Sequence, residues 1–320
     1  MTFHPKNIRF GTRFPGAAVV ALAAVAALVT GCSSSSDSKS DNPLSGGKAS
    51  GGTVVVGSNN FPESKLLADI YGEALKAKGV KVEYKLNIGS RETTYGLIKS
   101  GAVTVLPEYN GALLAYLDKK AAPKTAAATT AAIKAKLDSG LTLLDPSPAQ
   151  DKDSVTVNQE TAAKYHLTRE SSIADLKDVA GDLVIGGSPE FQTRQQGLLG
   201  LQSVYGLRFK SFKALDAGGA LTQTALKKNV VQVADLFTTD PTISREKFVT
   251  LKDPENLFGF QNVQPLVHKS GLDQKGVDAL NAVSAKLDTA TLLELDTQVQ
   301  SQKKDPLDVA RAWLKSAGLG

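Results

Sequence analysis

The side chains best suited to acid–base, nucleophilic or metal chemistry are scarce in this sequence. Its 320 residues include three histidines, His4, His166 and His268, and a single cysteine, Cys32. None of the histidines has a partner nearby in sequence at the spacing a metal site or a nucleophile–base pair uses. The chain contains no G-x-S-x-G, no Walker A loop and no H-E-x-x-H, so hydrolytic, phosphoryl-transfer and metalloprotease mechanisms lack their minimal parts. Gly186-Gly187 and Gly197-x-x-Gly200 do not form the dinucleotide fingerprint. Carboxylates such as Glu108 and Asp240 are plentiful, but sequence does not show two of them converging on one bond. No catalytic residue, metal site or cofactor is predicted, and the missing motifs, taken with the export signal and two-lobe pattern of the same chain, argue against an enzyme.

Cys32 has a different use. Lys6, Arg9 and Arg13 precede an apolar run from Ala17 to Val29, the pattern of an export signal. That run falls short of the roughly 20 apolar residues of a membrane span. Leu28-Val29-Thr30-Gly31-Cys32 resembles the lipobox at which bacterial lipoproteins are cleaved and acylated. Residues 1–31 are therefore expected to be removed, leaving the chain anchored by lipid at Cys32 on the outer face of the cytoplasmic membrane. Residues 32–52, mostly Ser, Gly, Asp and Lys, read as a flexible tether. A lone thiol forms no intrachain disulfide. Three of the 37 basic residues and none of the 32 acidic ones lie in 1–31, so the remainder carries a formal charge of +2. No basic cluster with interleaved aromatics marks a nucleic-acid partner, and a monomer is expected.

The rest is patterned as alternating strands and helices. Thr53–Gly57 is a β-branched run; Leu66, Leu67, Ile70, Ala74 and Leu75 then recur at helical spacing as far as Gly79. Val82, Tyr84 and Leu86 alternate as in a strand, Ser90 opens a helix that Gly101 stops, and Val103–Leu106 is a further strand. This order predicts a mostly parallel sheet covered by helices. Residues 120–137 read as an exposed helix broken near Pro123, and Leu141–Gln150 as an extended crossing. Ser154–Val157, Leu183–Ile185 and Val230–Val233 predict strands of a second α/β unit. His166 is placed on a surface helix. The tail predicts helices at Leu280–Leu287 and Leu292–Val299, and a last one capped by Asp305 with Pro306 at its first position. Two α/β lobes joined by extended crossings enclose a cleft, with ligands held at strand ends.

Seven segments, in order, resemble the substrate-binding proteins of quaternary-amine (glycine betaine, choline, carnitine) ABC transporters. They are Gly57-Ser58-Asn59-Asn60-Phe61-Pro62-Glu63, Asn87-Ile88-Gly89-Ser90-Arg91-Glu92, Pro107-Glu108-Tyr109-Asn110-Gly111, Glu190-Phe191-x-x-Arg194-x-x-Gly197, Val204-Tyr205-Gly206-Leu207, Phe237-Thr238-Thr239-Asp240 and Asn262-Val263-Gln264-Pro265-Leu266-Val267. The resemblance implies an α/β two-lobed periplasmic-binding-protein fold, type II-like, with two hinge crossings and an interlobe ligand cleft. Lobe I would be 53–150 plus 264–320 and lobe II 151–263. It implies a small-molecule solute as ligand, delivered to the membrane permease and ATPase subunits of an ABC importer. In such proteins aromatic rings enclose a trimethylammonium head. Tyr109 and Phe237 match two ring positions and Arg194 matches a polar one, with Asn110 and Thr239 beside them. Asp153 and Gln261 stand where further rings are common, Asn59 where a lysine is found, and Ala112 where a threonine is found. Asp153 would then be the counter-ion of a cation; alternatively Asp153, Asn59 and Gln261 form a hydrogen-bonding set for a neutral hydroxylated or aromatic solute. A sensory or surface protein without a transporter, and an enzyme on this fold, are the rival classes.

Overall fold

The computed structural model describes residues 52–320. The expected signal segment 1–31, Cys32 and the expected tether up to residue 51 lie outside the described residues. In chain order, β1 (Thr53–Gly57), α1 (Pro62–Ala77), β2 (Lys81–Lys85), α2 (Arg91–Ser100), β3 (Val105–Tyr109), α3 (Asn110–Leu117), α4 (Ala126–Lys136) and β4 (Leu141–Leu143) come first. A second series follows: β5 (Asp153–Val157), α5 (Gln159–Lys164), β6 (Val184–Gly187), α6 (Leu198–Tyr205), β7 (Ser211–Ala214), α7 (Ala220–Lys227), β8 (Val233–Phe237), α8 (Pro241–Arg245) and β9 (Val249–Thr250). The chain returns as β10 (Val263–His268) and ends in α9 (Gln274–Lys286), α10 (Thr289–Asp296) and α11 (Pro306–Ser316).

The strands make two five-stranded sheets, ordered β2-β1-β3-β10-β4 and β7-β6-β8-β5-β9. Each is mixed, not mostly parallel as the local pattern suggested. The βαβ segments are parallel, while β10 runs antiparallel to β3 and β4, and β5 antiparallel to β8 and β9. The reversed strands are those that enter a sheet from the other one. Separate apolar clusters cover both faces of each sheet. On α1, Leu66, Leu67, Ile70 and Leu75 are fully buried, and each contributes about 1.5–3 kcal/mol relative to an exposed position.

Two segments cross between the sheets side by side. Asp151 N donates to Gln261 O at 3.1 Å, Val263 N donates to Ala149 O at 3.0 Å, and Gln150 bridges Asn262. Gly111 is required beside them, because a Cβ there would lie 2.3 Å from the Phe260 carbonyl.

Local patterning misplaced several boundaries. Val103 is buried before β3 begins, and Val230 is half exposed ahead of β8: both are apolar residues of tight connections rather than of strands. The 120–137 helix starts only at Ala126, where Thr125 Oγ1 accepts from Ala128 N at 3.1 Å. Leu141–Leu143 is a short strand rather than crossing, and His166 follows α5 at φ +55° rather than lying within it. Pro265 disguises β10 as a non-strand. It sits opposite Pro107, and its carbonyl accepts from Leu144 N on its other side. The two missing N–H groups therefore face away from the β3–β10 ladder, which loses no bond. The last helix begins as expected, with Asp305 Oδ1 accepting from Leu307 and Asp308 N.

Candidate functional site

The cavity lies where strand ends of both sheets meet. After β1, the Asn60-Phe61-Pro62 turn holds Phe61 extended (φ −136°, ψ 158°) at the N-cap of α1, because a residue before proline avoids the helical region. Tyr109 ends β3, Phe237 ends β8, and Asp153 begins β5 directly opposite Phe237. Asp235 is two residues before Phe237 and shares its sheet face. Arg194 follows a short turn after β6.

These residues, with Asn59, Arg91, Ala112, Asp151, Ser188, Glu190 and Gln261, wall a cavity of about 60 Å³. That space holds roughly four or five water-sized volumes. A second cavity of about 280 Å³ adjoins it, sharing Arg91, Ala112, Asp153 and Arg194. Three rings converge on the inner one: Phe61 lies 5.1 Å from Phe237 and 5.9 Å from Tyr109 between centroids.

Four carboxyl groups and two guanidinium groups line the wall, and the guanidinium groups are already engaged. Arg91 donates from Nε and Nη2 to Glu108 at 2.8–3.1 Å, a buried pair. Arg194 donates from Nε and Nη2 to Glu92 at 3.1 and 2.8 Å. Burial alone would raise the Glu92 carboxyl, but this guanidinium pulls it down to about 2. The acids have no such partners. Burial pushes Asp153 up, against the pull of Arg194 and Arg91. Burial and then the neighbouring Asp153 charge push Asp235 well up. Asp153 and Asp235 are in mutual hydrogen-bonding contact, and their like charges disfavour ionisation of both. Asp235 Oδ1 is buried without a donor.

The structure brings Tyr109, Phe237, Asp153, Arg194, Asn59 and Gln261 to the cavity wall, but not Asn110 or Thr239. Asn110 Oδ1 accepts from Asn262 N at 2.9 Å, pinning the second crossing. Thr239 N donates to Asp151 Oδ1 at 3.0 Å, and its hydroxyl donates to Glu63 Oε2. Both lie behind the cavity wall, bonded to the two crossing segments. Gln261 is also committed: Oε1 accepts from Ala112 N at 2.9 Å, and Nε2 donates to Phe258 O at 2.5 Å. Asn59 Oδ1 accepts from Thr94 Oγ1 at 2.8 Å. The third ring, Phe61, and the second acid, Asp235, escaped sequence reasoning. The Phe-Pro dipeptide after a strand was the available signal for Phe61. Among the described residues no group of His, Cys, Asp or Glu is arranged for a metal ion, and no helix is long and apolar enough to cross a membrane.

A family model described as the substrate binding domain of ABC-type glycine betaine transport systems matches residues 52–316. The chain is 29% identical over 277 residues to the glycine betaine-binding protein YehZ of Escherichia coli strain K12, covering 83% of this chain and 90% of that one. It is 26% identical over 276 residues to the carnitine transport binding protein OpuCC of Listeria monocytogenes, covering 84% and 88%. The structure of apo YehZ from Escherichia coli superposes with a TM-score of 0.58 at 28% identity, over 84% of this chain and 99% of that one. A glycine betaine/carnitine/choline ABC transporter structure shares the fold with a TM-score of 0.65 at 23% identity, over 83% and 99%.

Proposed function

Since the chain belongs to the family of substrate-binding domains of ABC-type glycine betaine transport systems, we propose that it captures a quaternary amine between its two lobes and delivers it to a permease. The observation that carries this is the cavity wall itself. Three rings stand beside four carboxyl groups, while both arginines are held by Glu92 and Glu108. The π faces of the rings attract a cation that has no N–H to donate. The acids, which have no guanidinium partner of their own, supply its counter-charge. The hydroxylated-solute alternative loses support because the Gln261 amide and the Asn59 carbonyl are occupied within the protein.

The wall favours a choline-like cation over one bearing a carboxylate. A betaine or carnitine carboxylate would have to displace Glu92 from Arg194, which is a second reading for the same site. The ligand tail would extend past Asp153 into the adjoining cavity. Lobe I comprises 53–150 plus 264–320 and lobe II 151–263, hinged at the paired crossings. The protein works as a monomer anchored at Cys32, with permease and ATPase subunits as partners and without catalysis. Thermal unfolding against choline, glycine betaine, carnitine, polyols and aromatic glycosides tests this. A ligand at about 100 times its Kd adds about 2.7 kcal/mol to native stability. Stabilisation by the quaternary amines alone is expected; stabilisation by polyols or glycosides alone would replace them with a hydroxylated solute.

A further inference from the structure

Behind the rings lies a second acidic group that does not touch the cavity. Glu63, the second residue of α1, is 2% exposed. Its Oε1 accepts from the Tyr109 hydroxyl and its Oε2 from the Thr239 hydroxyl, both at 2.5 Å. Asp296, where α10 passes into a π-helical turn, is fully buried and in hydrogen-bonding contact with Glu63. Asp296 Oδ1 accepts from Gln300 Nε2 at 3.0 Å, whereas Oδ2 has no donor. The charged groups facing the pair from neighbouring elements are Asp151 on the first crossing and Asp240 before α8. Among the described residues neither Glu63 nor Asp296 has a Lys or Arg within ion-pairing distance. Two ionised carboxylates have no hydrogen to share, and burying both without a cation is prohibitive. A proton on Glu63 resolves this by supplying the donor that Asp296 Oδ2 lacks.

We propose that Glu63 is a neutral carboxylic acid that donates to Asp296 and acts as the positioning residue of the cage, fixing the Tyr109 ring and tying it across the cleft to Thr239. The inference rests on the proposed binding site only for the ligand used to test it. The Glu63–Thr239 bond joins the β1–β3 side of the molecule to the segment after β8, so opening the cleft breaks it and admits water to Glu63. Burial, and after it the Asp296 charge, push this carboxyl well above the ordinary range. The closed form therefore holds this proton more tightly than the open form, in which Asp296, on the same lobe, still raises the carboxyl above its unfolded value. Closure is favoured at low pH and weakens as pH rises from the ordinary carboxyl range towards the raised value. One proton corresponds to about a tenfold change in affinity per pH unit. Asp153 and Asp235 act with the opposite sign, since an entering cation favours their charged forms. The difference between wild type and a Glu63 variant isolates the Glu63 contribution.

Glu63→Gln keeps the shape, an acceptor for Tyr109 and a donor for Asp296, and reaches Thr239 with its hydroxyl turned from donor to acceptor, but cannot ionise. Calorimetry with choline at pH 7, in two buffers of different ionisation enthalpy, is expected to show wild type taking up more protons per ligand than Glu63→Gln, by at most one. The Kd of Glu63→Gln should stay within about threefold of wild type, while Glu63→Ala should weaken binding about tenfold or more. Equal proton counts, or Glu63→Gln as weak as Glu63→Ala, would overturn the proposal. A ligand-free arm stands apart: between pH 5 and 8 the Tm of wild type should fall relative to that of Glu63→Gln, and parallel profiles would overturn the proposal. Diverging profiles with no choline heat would reject the ligand and keep Glu63.

Discussion

Replacing Asp153 with Asn separates a cation site from a hydroxyl site. Two unit charges about 4 Å apart at an effective dielectric of 20 interact by about 4 kcal/mol. Asp235 shares the sheet face and loses its proton when Asp153 is gone and a cation enters, so it recovers roughly half of this interaction. The expected net loss is about 2 kcal/mol, or roughly 30-fold in Kd for choline. Titration calorimetry at pH 7 reads this directly. Unfolding does not confuse the result. Burial raises the Asp153 carboxyl in the folded protein, and a raised acid weakens stability as pH climbs through that value. Asn removes that burden and keeps an amide oxygen to accept from Asp235, so the unliganded variant should melt at or above wild type at pH 8. Choline binding within twofold of wild type would refute the assignment of Asp153 as counter-ion.

Phe61→Ala removes one of the three rings and the packing of the other two. At about 0.5–2 kcal/mol per cation–π contact, calorimetry should show a 2- to 30-fold weaker Kd for choline. Glu92→Gln frees the Arg194 guanidinium. Competition binding should show the preference moving from choline towards glycine betaine and carnitine, by about tenfold for a charge-assisted hydrogen-bond pair. Gly111→Ala drives a Cβ into the Phe260 carbonyl. About 1–3 kcal/mol of stability should be lost, seen in denaturant unfolding, together with weaker ligand binding because the second crossing is displaced.

The α/β design of two covered sheets was legible wherever local pattern and tertiary role agree. Thr53–Gly57, the α1 stripe and the Asp305-Pro306 start carry their burial and capping in neighbouring residues. Legibility failed where long-range pairing overrides local preference. Pro265 reads against a central strand until its partner Pro107 is known, and the antiparallel entry of β5 and β10 depends on crossings that no window spans. In the site, Tyr109 and Phe237 stand at strand ends, where pattern and family resemblance coincide. Phe61 occupies a helix cap whose ring direction depends on the tertiary fold, and Asp235 is part of an apolar-looking strand. Asn110 and Thr239 follow Tyr109 and Phe237 closely in sequence, yet their side chains turn to the crossings. Adjacency in a motif does not fix direction.

Recognition of positive charge by the cavity wall is tested most directly by comparing choline with its carbon isostere 3,3-dimethylbutan-1-ol, which has the same shape without the charge. Titration calorimetry at pH 7 should show saturable heat with choline and none with the alcohol at equal concentration, since Asp153, Asp235 and the three rings act on the charge. Equal affinity for the two would contradict this reading and leave a shape-selective apolar pocket in its place.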